Sequence, residues 1–96
     1  MSSDVEVKPG ATHLTCAFSD NGLVQQLVGP HNANLTRLEQ RLDVVLHNRG
    51  NTITIEGPPA RAARAEAALK QLYRRLTEGR AVEMGDVDGI ARLVQD

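Results

Sequence analysis

The sequence predicts an α+β domain, a three-stranded sheet with helices packed on one face and a short helix at the C-terminal end. Three patterns carry that expectation. Leu14, Cys16 and Phe18 alternate with Thr15, Ala17 and Ser19, the period of a half-buried strand. Two short apolar runs at helical spacing are separated by Gly29 and Pro30, a stop and a breaker. The stretch "DVVLHNRGNTITIEG" reads as a hairpin and leads into the longest helical stripe of the chain.

Each element follows in order. Residues 1 to about 11 are polar, end in "KPGA", and read as a loose arm or an extended lead-in. The strand closes at Asp20 and Asn21, both suited to capping a helix. Leu23, Val24, Leu27 and Val28 then define a helix of about two turns that Gly29 ends. "PHNA" connects it to a second helix, which Asn34 can cap and in which Leu35, Leu38 and Leu42 share a face. Val44–His47 and Thr52–Glu56 are the hairpin strands, with the Asn and Gly of "NRGN" between them. Pro59 is well placed to open the long helix, about Pro59 to Glu78, whose stripe is Ala62, Ala65, Leu69, Leu72 and Leu76. Asp86 marks the start of a last helix through Val87, Ile90 and Leu93 or Val94.

Composition narrows function. One Phe, one Tyr and no Trp leave the core to aliphatic side chains. The same poverty excludes a sheet that stacks bases on several exposed rings. Eleven Lys and Arg against twelve Asp and Glu exclude a polycation that binds DNA regardless of sequence. Cys16 is alone, so no internal disulfide forms and a reducing compartment fits. No apolar run approaches the ~20 residues of a membrane span, and "MSSDVEVKPG" lacks a signal-peptide core; the cytoplasm is the expected location.

Catalytic patterns are missing from the sequence. His13, His31 and His47 have no metal-type spacing with Cys16 or one another. The phosphate-loop pattern G-x-x-x-x-G-K-[ST] is absent. Cys16 reads as a core residue of its strand. Glu78 and Glu83 read as solvated, and Asp86 and Asp88 as favouring the dipole at the start of the last helix.

The stretch "LVGPHNANLTRLEQRL" is the exception. It can be a plain turn between packed helices. It can also be a loop that holds a phosphate: the first N–H groups of the second helix attract an anion, and Gly29 permits close backbone approach. In that reading Pro30, His31 and Asn32 complete the loop, and Asn34, Arg37 and Arg41 contact a nucleic-acid backbone. Leu23, Val24 and Leu27 form either a groove wall or core, and Arg49 either closes the far side of the groove or is simply solvated.

Strand-helix-helix-strand-strand-helix with a glycine-led loop between the first two helices resembles the KH module, whose G-x-x-G loop clamps about four nucleotides of a single strand. "GPHN" sits at that loop, with Asn32 in place of the last Gly. Asn tolerates left-handed backbone better than most residues. From Phe18 to the end of the long helix the chain is also similar to the N-terminal region of PhoH-like proteins, through "DN", "LVGPHNANLTRLEQRL", "RGN" and "TIEG". That resemblance implies a flexible arm over 1–12, a KH-like domain over 13–80, and a helix or linker over 81–96 toward a P-loop ATPase domain. It implies a cytoplasmic setting in RNA metabolism. Single-stranded RNA is the expected ligand, with a ribonuclease or the missing ATPase domain as protein partner and self-association left open. Neither a cofactor nor a metal nor a membrane is expected, and no enzymatic activity, since the ATPase motifs are absent from this sequence. Two functions stand side by side: an RNA-binding module, or an assembly domain that positions the ATPase or nuclease without touching RNA.

Overall fold

Alternation, helix breaks and turn chemistry give the expected order of elements, with one strand more. The computed structural model of the chain describes residues 5–9 and 13–95. Its elements are β1 (Val5–Pro9), β2 (His13–Phe18), α1 (Asn21–Val28), α2 (Ala33–Leu42), β3 (Val45–Arg49), β4 (Thr52–Glu56), α3 (Pro59–Thr77) and α4 (Met84–Gln95). The sheet is antiparallel throughout and ordered β1-β2-β4-β3. The three-strand expectation is therefore corrected to four. Val5–Pro9, within the stretch read as an arm, pairs with β2 and sets Val5 and Val7 opposite Phe18 and Cys16. Two valines in a polar segment are too short a signal to announce a strand; the edge that β2 offers supplies the missing partner. The rest of the expected arm, residues 1–4 and 10–12, lies outside the described residues.

One face of the sheet is apolar and the helices cover it. Cys16, Phe18, Leu46, Ile53 and Ile55 point inward and are buried, while His13, Val45, His47 and Glu56 alternate outward. Leu27, Leu38, Leu69 and Leu72 meet them from the helices, each fully buried. The two aromatic residues pack together, Phe18 of β2 against Tyr73 of α3, with ring centroids 4.8 Å apart. The Tyr73 hydroxyl accepts a hydrogen bond from the Asp20 N–H at 3.0 Å, and Asp20 Oδ1 accepts from Leu23 N–H at 3.1 Å, capping α1. One tyrosine thus ties the long helix to the start of the helix that leads into the loop. Burial pushes the Cys16 thiol up to about 11, so at neutral pH it is a small apolar side chain.

The hairpin is tighter than its sequence suggested. β3 runs to Arg49 and pairs it with Thr52, so Gly50 and Asn51 alone make the turn. Gly50 has φ 58°, and the Asn48 side chain donates to the Gly50 and Thr52 carbonyls. Glu39 of α2 accepts the Leu46 N–H at 2.8 Å, satisfying a donor on the outer edge of β3.

The last helix is part of the core. It begins at Met84, two residues before the expected cap, because Asp86 reaches back to accept the Glu83 N–H at 2.8 Å. Val87, Ile90 and Ala91 are buried against α2 and α3. Asp86 also accepts from Arg75 of α3, and Glu78, expected to be solvated, pairs with Arg74 and Arg80.

Leu69 is fully buried at the centre of the α3 stripe. Leu69→Ala should cost about 2–5 kcal/mol in urea unfolding. Leu93→Ala, at a side chain 59% exposed, should stay within about 0.5 kcal/mol of wild type.

Candidate nucleic-acid interface

The loop between α1 and α2 is built around one buried amide. Asn34, expected as a helix cap and a ligand donor, is only 6% exposed, and its Nδ2 donates to the Leu27 carbonyl at 3.1 Å. It therefore closes α1 onto α2 from a buried position rather than presenting its side chain at the surface. Gly29 sits directly over it with φ 77°. A Cβ there would lie 2.9 Å from Asn34 Nδ2 and 3.0 Å from its Cγ. Glycine is thus required twice, by backbone conformation and by space.

Past Gly29 the chain makes one tight turn, Pro30–Asn32, in which the Asn32 N–H donates to the Gly29 carbonyl at 3.1 Å. His31 (φ 54°) and Asn32 (φ 58°) are both left-handed. That backbone costs roughly 1–2 kcal/mol per non-glycine residue, and His and Asn are among those that bear it best. Pro30, His31 and Asn32 are all exposed, and the Asn32 side chain makes no capping bond to α2. Gly29 and Pro30 also line a groove of about 470 Å³ with Gln25 and Gln26 of α1 and Ala81 and Val82 ahead of α4.

The cations behind the loop are already engaged. Arg37 holds Asp88 of α4 with two parallel bonds, Nε to Oδ1 at 2.8 Å and Nη2 to Oδ2 at 3.1 Å. Arg41 adds Nε to the same Oδ1 at 3.1 Å. Gln95 Nε2 donates to the Arg41 carbonyl at 2.7 Å. Hydrogen bonds from Arg37 hold the Asp88 carboxyl down at about 2, and the same contact raises the Arg37 pKa. Sequence reasoning placed Arg37 and Arg41 on one face but missed Asp88, which lies 47 residues beyond Arg41 and carries no local signal.

Arg49 is not gathered with the loop. It is exposed, has no ion-pair partner among the described residues, and lines a separate hollow with His47, Asn48, Thr52 and Thr54. The alternation along β3 turns it away from the helices. Val24 and Leu27 are core, and Leu23 is half-buried beside them. His47 contacts Glu56 across the open face of the sheet. Among the described residues, no three His, Cys, Asp or Glu side chains could hold a metal ion together, and no helix is long and apolar enough to cross a membrane.

The class that the fold defines is a small α+β domain with left-handed backbone in the loop between its first two helices. Its sequence corresponds to a segment of the PhoH-like proteins. It is 40% identical over 73 residues to the PhoH-like protein of Mycobacterium leprae (strain TN), covering 75% of this chain and 21% of that protein. It is 38% identical over 60 residues to the PhoH-like proteins of Mycobacterium bovis (strain ATCC BAA-935 / AF2122/97) and Mycobacterium tuberculosis (strain ATCC 25618 / H37Rv), covering 62% of this chain and 17% of each. The chain thus spans about a fifth of the length of these relatives. No family model and no solved structure matches it.

Gly29→Ala should destabilise by about 1–3 kcal/mol in urea unfolding. Gly50→Ala should cost less, because its backbone is also left-handed but nothing lies within 4 Å of the added Cβ. The Asp88 carboxyl, depressed from 3.8 to about 2, stabilises the fold fully above its unfolded value. That contribution should fade as pH falls from about 4 toward 2, read as a melting-temperature difference between wild type and Asp88→Asn that closes over that window.

Proposed function

We propose that this chain is a KH-like, single-stranded RNA-binding module of a PhoH-like protein. The observation that carries the reading is the Gly29–Asn32 loop: exposed from Pro30 to Asn32, with positive φ at Gly29, His31 and Asn32, and set between the two short helices. Two left-handed non-glycine residues at a surface turn store strain that a plain helix connection does not need. The KH module uses a loop at this place to grip nucleic-acid backbone. Gly29 and Pro30 bring main chain to the surface, His31 and Asn32 offer polar side chains, and the start of α2, which Asn32 does not cap with its side chain, favours a phosphate. With net charge −1 and Arg37 and Arg41 already bound to Asp88, the affinity is modest and falls with salt. In this reading the module works in the cytoplasm beside an ATPase domain or a ribonuclease, and ATP hydrolysis belongs to that other domain.

The Asp88 contact also favours a second reading, an assembly domain that positions such a partner without holding RNA. Arginines spent inside the fold are what that reading requires, and Met84 and Leu93 leave apolar surface on α4 at 38% and 59% exposure.

Fluorescence anisotropy of a labelled single-stranded RNA, at low and moderate salt, separates the two. Wild type should bind and weaken as salt rises, and Pro30→Asp/His31→Asp should lose at least tenfold in affinity. Undiminished binding by that double variant refutes the loop assignment, and no binding by wild type at either salt leaves the assembly reading.

A further inference from the structure

We propose that Asp88 is a built-in competitor for a phosphate: the Arg37–Arg41 pair is a phosphodiester subsite that α4 keeps closed, and RNA opens it by taking the place of the carboxylate. The inference rests on the RNA-binding reading of the loop. It concerns a different pair of side chains and a different helix.

The geometry is that of oxyanion recognition. Two Arg37 nitrogens meet both Asp88 oxygens in parallel, and Arg41 Nε meets one of them from the next turn. A guanidinium fork suits a carboxylate and the two free oxygens of a phosphodiester alike. The site is within reach of solvent. Side-chain exposure is 38% for Arg37, 47% for Arg41 and 30% for Asp88, so an incoming phosphate competes in water. It is also continuous with the loop: at 1.5 Å per residue, Arg37 stands about 6 Å along α2 from Ala33.

Asp88 is not what docks α4. Val87, Ile90 and Ala91 are buried beneath it, and Gln95 bonds the Arg41 carbonyl. The carboxylate can therefore be released while the helix stays in place. Two cations over one anion leave a residual positive charge, which draws a phosphate to the cluster before exchange occurs.

The test uses a fluorescein-labelled ten-nucleotide oligouridylate and four proteins: wild type, Asp88→Asn, Asp88→Asn with Arg37→Gln and Arg41→Gln, and Pro30→Asp/His31→Asp. Asp88→Asn should bind about tenfold more tightly than wild type. Its slope of log affinity against log salt should steepen by about 0.7, one further phosphate on a single strand. Both gains should vanish in the triple variant. If Asp88→Asn binds like wild type while the loop variant loses affinity, the inference fails and the RNA-binding reading survives. A gain retained without the two arginines also overturns it, since the gain then does not pass through them. No binding by any of the four overturns both. A wild-type measurement guards against misfolding of the variants. Saturating RNA should shift the Arg37 and Arg41 Nε–H resonances, and unmoved signals refute the exchange.

Discussion

The hydrogen bond from Asn34 to the Leu27 carbonyl holds the loop on which the proposed RNA-binding reading rests. It joins the end of α1 to the start of α2 through a buried side chain and so restrains the path of the connection between them. That path leaves no room for a Cβ at residue 29 and forces the next residues into a tight turn with left-handed backbone at His31 and Asn32. An amide buried without its acceptor would be costly, so loop and core are secured together. In the RNA-binding reading, a loop shaped in advance reduces the ordering that binding demands.

Around that joint, support is layered. Tyr73 anchors the entry to α1 from the long helix, Glu39 of α2 reaches the edge of β3, and α4 closes over α2 and α3. Polar contacts here do positional work on top of an aliphatic core. Leu, Val, Ile and Ala fill space well but specify orientation weakly, and the chain has only one aromatic pair to add. Single side-chain bonds between elements settle which way each helix is turned.

The architecture was readable from sequence where periodicity was strong and local. The alternation of β2, the stripes of α2 and α3, and the glycine stop at the end of α1 all appear as their patterns implied. What escaped depended on partners far along the chain. Val5 and Val7 become a strand only because β2 has a free edge. Asn34 looks like a cap, yet it is buried because Leu27 presents a carbonyl seven residues back. Asp88 looks like a dipole-favouring acid, yet it lies under two arginines of another helix. Arg49 could be placed on a turn, while the face it occupies followed from a strand that ends two residues later than its pattern indicated. The loop itself was legible as a position; its internal conformation was not, since left-handed backbone at His31 carries no sequence signature.

Cys16 has a practical consequence. It is the sole cysteine of the chain, lies in β2 between two neighbouring strands, and is fully enclosed. A thiol reagent can reach it only when the sheet comes apart or its cover lifts. Its alkylation rate is therefore a clock for opening of the whole domain, started without any engineered label, and blind to motions confined to the surface loop.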